Sequence, residues 1–134
     1  MTIQQISCIV ELDKGLYTIE ENMKIHSYES TSGKDLIMEY TTSLTEEEKV
    51  DALSVLEDME KGNMDCLTIK RWQGKIWEVY FRKHNRIFYV TVEKSDIYLL
   101  HACRKQRNKT EKKDKNIVIK RAKELGTLLN KTFN

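Results

Sequence analysis

Proline is absent from this 134-residue chain, and glycine occurs only five times. Element boundaries must therefore be read from those glycines and from polar clusters. Cysteine is scarce as well. Cys8, Cys66 and Cys103 stand far apart and outside any metal-ligand spacing, which argues against a disulfide framework or a zinc module and predicts reduced, mostly buried thiols. Cys103 lies beside Arg104, a neighbour that lowers thiol pKa values, but no His–acid arrangement surrounds it, so it reads as a core thiol. No apolar run approaches the ~20 residues that a membrane helix needs. Residues Met1 to Gln5 lack the basic region and apolar core of a secretory leader. Repeats, low-complexity tracts and linkers are missing too. Together these absences predict one cytoplasmic domain over residues 1–134, with no membrane partner, no metal and no other cofactor.

What the chain does contain is charge, unevenly placed. Its composition is 40% hydrophobic and 33% charged, as in a folded soluble protein. The net charge is only +2, but residues 1–66 hold 5 Lys/Arg against 15 Asp/Glu, and residues 67–134 hold 18 against 6. A basic second half after an acidic first half points to a polyanionic partner. A solvated helix face is the ordinary source of such charge. Here the cations spread over a sheet edge, a loop and a helix start, which favours nucleic acid.

The strongest structural signal is Lys75 to Lys105. Aromatic and β-branched residues predict strands at 75–83, 86–93 and 96–103, joined at His84-Asn85 and Lys94-Ser95 as an antiparallel meander. A strand at 66–72 precedes it, with Gln73-Gly74-Lys75 as the turn and Trp72 and Trp77 as core anchors. Upstream, Ile6–Leu12 and Leu16–Ile19 flank a turn at Asp13-Lys14-Gly15. Met23 to Tyr28 alternates like a strand, and Thr31-Ser32-Gly33-Lys34 breaks it.

Leu36, Ile37, Tyr40 and Leu44 have helical spacing. Thr45-Glu46-Glu47-Glu48 is a capping box, with Val50, Leu53, Leu56 and Met59 as the apolar face behind it and Gly62 as the stop. The three glutamates suit a helix start electrostatically and need no acid–base role. A last helix over about 111–130, with Thr110 as its cap, aligns Val118, Ala122, Leu125 and Leu129. Its first turns carry Lys112, Lys113 and Lys115 against the helix dipole, an unfavourable placement that suggests a use for the charge.

Several local strings resemble the RelE/HigB toxin superfamily, and within it the phage-derived HigB-like group. They are Tyr28–Lys34, Ile76-Trp77-Glu78-Val79, His84–Tyr89, and Leu99–Lys105 followed by Lys109-Thr110 and Arg121-Ala122-Lys123-Glu124. The likeness covers about residues 24–126, with residues 1–20 as an N-terminal extension. It implies an α+β domain: a twisted antiparallel sheet of four to five strands, packed against two N-terminal helices and a C-terminal helix. Three departures stand out. Glu111 replaces a usual proline, Cys103-Arg104 replace a commoner Phe-containing pair, and Glu78 and Tyr80 stand roughly where RelE itself carries lysines.

The resemblance implies the toxin of a type II toxin–antitoxin pair, a metal-independent endoribonuclease that cuts mRNA on the ribosome and is neutralised by a cognate antitoxin. In such cleavage the substrate's 2′-OH attacks the adjacent phosphate, so the protein must move protons and stabilise phosphorane charge. Arg86, at the start of a core strand, matches the superfamily's arginine; Arg104, Lys105 and His101 complete the catalytic candidates. Arg82, Lys83, His84, Arg107, Lys109, Lys112 and Lys113 are candidate RNA contacts. Tyr80 and Tyr89 could stack on a base, although strand aromatics mostly pack. No acid is placed as general base by sequence. A non-catalytic RNA- or protein-binding relative of phage or mobile-element origin is the alternative, and a phage assembly component a third reading.

Overall fold

Among the described residues of this computed structural model, seven strands and three α-helices follow one another. The structure describes the backbone of residues 8–12 and 15–19, and residues 22–82, 84–105 and 110–134 in full. A hairpin comes first, β1 (Cys8–Leu12) against β2 (Gly15–Ile19), and forms a two-stranded sheet of its own. The turn at Asp13-Lys14 and the expected strand start at Ile6 lie outside the described residues. Then follow β3 (Lys24–Ser27), α1 (Leu36–Thr42), α2 (Glu46–Lys61), a 3-10 turn at Met64–Cys66, β4 (Thr68–Gln73), β5 (Ile76–Phe81), β6 (Asn85–Val92), β7 (Asp96–Arg104) and α3 (Lys112–Leu129).

The main sheet has five strands in the order β3-β7-β6-β5-β4. The meander β4 to β7 is antiparallel as expected, but β3 runs parallel to β7, so the sheet is mixed rather than antiparallel. The reason is topological. After β3 the chain must pass through both N-terminal helices before the meander begins, and that long crossover returns the sheet to β3 in the parallel sense. Three strands thus precede the first helix, instead of the helices standing ahead of the sheet.

Both faces of the sheet are covered. Val79, Phe81, Ile87, Tyr89 and Leu99 pack with Ile37 of α1 and Ala52, Val55, Leu56 and Met59 of α2. Ile76, Phe88, Val90, Leu100 and Cys103 pack with Val118 and Ala122 of α3 and with Phe133. A central strand covered on two sides loses its polar alternation, which is why β6 is buried without a break from Asn85 to Val90.

Two bulges set which residues reach which face. On β7, Phe88 pairs with His101 and Tyr89 with Leu99, leaving Leu100 as the extra residue. Leu100 and His101 therefore both turn toward α3, and the parity of every later residue shifts. Cys103 joins the α3-side core, while Arg104 reaches α2. On β4, Arg71 pairs with Trp77 and Gln73 with Ile76, so Trp72 is the extra residue.

Local signals mostly hold. Thr45 caps α2, its hydroxyl accepting from the Glu48 amide at 3.2 Å, and Gly62 ends the helix at φ 76°. Asp35, unmarked in the sequence reading, caps α1 by accepting from the Met38 amide at 2.9 Å. Four expectations fail. Thr110 is not the cap of α3; Glu111 takes that position, without a side-chain bond. The meander joints are displaced: Asn85 belongs to β6 instead of the first joint, and Glu93 joins Lys94 and Ser95 in the second, with Arg82, Glu93 and Lys94 at positive φ. The buried stripe of α2 is rotated, leaving Val50 65% and Leu53 49% exposed while Ala52 and Val55 go inside. Trp77 is 36% exposed and is no core anchor; it lies on the α1/α2 face at the outer part of β5, where Arg71 rather than a helix stands beside it. Among the described residues no helix is long and apolar enough to cross a membrane.

Candidate nucleic-acid interface

Strand alternation gathers an acid and two cations on the α3 face. Ile76, Glu78 and Tyr80 share that face of β5, Arg86 and Phe88 that of β6, and Cys103 and Lys105 that of the β7 end. Glu78 is only 2% exposed. Its Oε1 lies 3.4 Å from Lys105 Nζ and 3.6 Å from Arg86 Nε. The Arg86 guanidinium rests over the Tyr80 ring at 4.1 Å, a cation–π contact that fixes its plane. Burying three charges is costly, and mutual attraction offsets the cost only while all of them are present.

Glu78 and Lys105 form the floor of a polar cleft of about 390 Å³. Its walls are Lys70, Trp72 and Gln73 from β4, Thr110 from the segment before α3, and Lys115 from α3. The β4 bulge turns Trp72 and Gln73 inward together with Lys70. Three ammonium groups around one carboxylate give the cleft a positive balance suited to a phosphate group. Glu78 Oε2 is buried, with no hydrogen-bond partner among the described residues.

His101 stands on the same face, where β7 pairs it with Phe88 of β6. Its Nε2 lies 2.8 Å from Asp114 Oδ1, and its Nδ1 lies 3.3 Å from Arg121 Nη1. Arginine only donates, so Nδ1 accepts and the Nε2 proton goes to Asp114. Arg121 also donates to the Leu100 carbonyl at 2.8 Å and covers the Tyr28 ring, which pins it. Burial pulls the His101 pKa down, with Asp114 pulling the other way, and the neutral ring results. Burial likewise pushes the Cys103 thiol up to about 12, so it is no thiolate nucleophile. The donor atoms of His101, Cys103 and Asp114 lie within 4.8 Å of one another, the nearest approach to a metal-ligand set among the described residues. Arg121 opposes that use, because a metal-bound imidazole needs an acceptor at its second nitrogen rather than a cation.

The other face carries a second polar group. Glu48 accepts from Asn85 at 2.8 Å and from Arg104 through both oxygens at 2.8 and 3.1 Å, and its Oε1 also takes the Thr45 hydroxyl at 3.0 Å. The Asn85 amide, then Arg104, hold the Glu48 carboxyl down to about 2. Tyr40 donates to Asn85 Oδ1 at 2.5 Å, and burial pushes its own hydroxyl up to about 12. The Glu48 carboxylate thus leaves its helix to bind the start of β6 and the end of β7.

The four catalytic candidates are therefore divided. Arg86 and Lys105 meet at Glu78; Arg104 lies across the sheet on Glu48; His101 is held between Asp114 and Arg121. Of the RNA-contact candidates, Arg82 is paired with Asp51 and Glu47 of α2. His84, Lys112 and Lys113 are exposed, and Lys83, Arg107 and Lys109 lie outside the described residues. Sequence reasoning missed Lys70, and it read Glu78 within the Ile76-Trp77-Glu78-Val79 string and as a departure from RelE's lysines, but not as a site residue. The usable signal was that 76, 78 and 80 share the face of β5 opposite the core positions 79 and 81.

A search of curated proteins finds no match. The family model described as Phage derived protein Gp49-like (DUF891) matches residues 39–123. That stretch runs from α1 into α3 and contains every residue of the Glu78 cleft. With well over half of its length matched, the chain belongs to the phage-derived Gp49-like family, a RelE/HigB-like toxin family.

Proposed function

We propose that the protein is the toxin of a type II toxin–antitoxin pair, of the HigB-like kind, and that it inhibits translation in the cytoplasm by cutting mRNA on the ribosome. The observation that carries this reading is a lysine-walled cleft floored by Glu78 and Lys105, with Arg86 against the same Glu78 carboxylate. A scissile phosphate entering there meets two cations able to stabilise charge on its equatorial oxygens. Glu78 takes the proton of the 2′-OH as that oxygen bonds to phosphorus. The P–O5′ bond breaks, Lys105 protonates the departing 5′ oxygen, and a 2′,3′-cyclic phosphate remains. Glu78 then returns its proton to Lys105 across their 3.4 Å separation, restoring the site with no net change.

In this reading Arg86, Glu78 and Lys105 are catalytic, and Lys70, Lys112, Lys113 and Lys115 guide RNA together with His84, Arg107 and Lys109. His101 and Arg104 are positioning residues. An antitoxin with an acidic segment would cover the same cations.

One observation favours the alternative, a relative that binds RNA or protein without cutting: Arg86 is 8% and Lys105 5% exposed, both neutralised in part by Glu78. Inducible expression in a bacterial host, with growth followed and mRNA 5′ ends mapped, separates the two. Growth arrest with new ends inside translated messages supports the toxin. Normal growth with intact messages and soluble protein supports the binding relative.

A further inference from the structure

The two tryptophans of the chain stand on opposite faces of one sheet edge. Trp72 lines the Glu78 cleft on the α3 face. Trp77, on β5, emerges on the α1/α2 face and is 36% exposed. Trp72 belongs to β4, the terminal strand of the main sheet, which also sets Lys70 in the cleft and Arg71 on the far side beside Trp77. Arg71 pairs in register with Trp77, its guanidinium lies 5.9 Å from the indole centroid, and its Nε donates to the Gly74 carbonyl at 2.9 Å. That bond holds the cation beside the ring.

Lysine on an edge strand guards against edge pairing, and a single exposed apolar residue is ordinary. Neither explains an aromatic flanked by a cation on each face of the same edge. Alternating cations and aromatic planes are the means by which proteins hold single-stranded nucleic acid without reading sequence, the cations following phosphates and the rings stacking on bases.

We propose that single-stranded RNA leaving the cleft crosses the outer edge of β4, between Lys70 and Arg71, and stacks a base on Trp77. This rests on the RNA-cleaving reading and extends it by giving the substrate a path and a second anchor. It also makes the substrate single-stranded, since a duplex offers no free base face to Trp77. A polyanion without bases would meet the cations and leave the indole untouched.

Replacing Trp72 by phenylalanine leaves Trp77 as the sole tryptophan, which is excited selectively over the tyrosines at the red edge of its absorption. The Trp72→Phe protein is titrated with an unstructured, uncleavable 2′-O-methyl oligoribonucleotide and separately with inorganic polyphosphate, binding being followed independently by anisotropy of the labelled oligonucleotide. Trp77 emission is expected to be quenched as the oligonucleotide saturates and to stay unchanged with polyphosphate. Trp77→Ala in the otherwise native chain should weaken oligonucleotide binding about tenfold, and Trp77→Phe should restore most of it. An oligonucleotide that binds with Trp77 emission unchanged, or binds Trp77→Ala as tightly as the native protein, overturns the stacking proposal and leaves the cleft reading standing. Absence of oligonucleotide binding by the native protein overturns both.

Discussion

The two faces of the main sheet each carry one glutamate held by two nitrogen-bearing partners, and the two arrangements serve different ends. On the α1/α2 face Glu48 meets Asn85 and Arg104 at 2.8 Å, with good hydrogen-bond geometry, at the margin of the protein. On the α3 face Glu78 meets Lys105 and Arg86 at 3.4 and 3.6 Å, within the sheet's cover but at the floor of a cleft. The first group is closed: short bonds consume its acceptors, and it fastens α2 to the strand ends. The second is loose and incomplete, with one carboxylate oxygen unengaged among the described residues. Short, saturated contacts describe a fastening, whereas longer ones around a polar cleft, with a carboxylate oxygen left over, describe an acceptor that can still take a proton or a donor. A salt bridge is thus informative through its geometry and its surroundings rather than through its presence.

The largest contrast between the faces should be in catalysis. Arg86→Gln removes the cation beside the cleft's Glu78, and cleavage of translated mRNA is expected to fall about 100- to 1,000-fold, as measured by 5′-end mapping or single-turnover assay. Next comes stability. Glu78→Ala removes the carboxylate shared by buried Arg86 and Lys105 and should lower unfolding free energy by about 3–5 kcal/mol in urea denaturation. A loss below 1 kcal/mol would mean that the cluster is solvated after all.

The Glu48 fastening should reveal itself through pH. Its carboxyl is depressed from the ordinary 4.5 to about 2 in the folded protein, so its contribution is complete above pH about 4.5 and disappears as pH falls toward 2. The gap in denaturation midpoint between native protein and Glu48→Gln should therefore be widest near neutrality and close in acid. A gap independent of pH would assign the effect to packing. The smallest effect concerns thiols: at pH 8 Cys66, exposed, should alkylate rapidly, while Cys103, buried with its thiol pushed up to about 12, should react only on unfolding. Peptide mapping after a timed iodoacetamide pulse distinguishes them.

Much of this architecture could be read from the chain. The meander followed from β-branched and aromatic runs, and α2 from Thr45, Glu48 and Gly62, because those signals are local. What could not be read depends on pairing at a distance. Nothing in Leu99-Leu100-His101 marks Leu100 as a bulge, yet that one residue decides that His101 faces Asp114 and that Lys105, not Arg104, joins Glu78. The parallel pairing of β3 with β7 likewise has no local signature. Exposure of Val50 and Leu53 was missed because a stripe offset by one residue on α2 leaves the 3.6-residue period intact. Within the site, Arg86 and Lys105 were legible from their positions in familiar strings. Glu78 was legible as part of a familiar string but not as a site residue, and Lys70 not at all, since it reaches the cleft only by pairing opposite Glu78 across β4 and β5.

The most direct measurement compares Arg86→Gln with Arg104→Gln, two arginines of the same chain region that end on opposite faces. Each variant, shown folded by circular dichroism, is assayed for mRNA cleavage on translating ribosomes. Catalysis on the α3 face requires Arg86→Gln to lose cleavage about 100-fold or more while Arg104→Gln stays within about tenfold of the native protein. Loss of cleavage in Arg104→Gln with activity retained in Arg86→Gln would move the active centre to the Glu48 face and contradict the account.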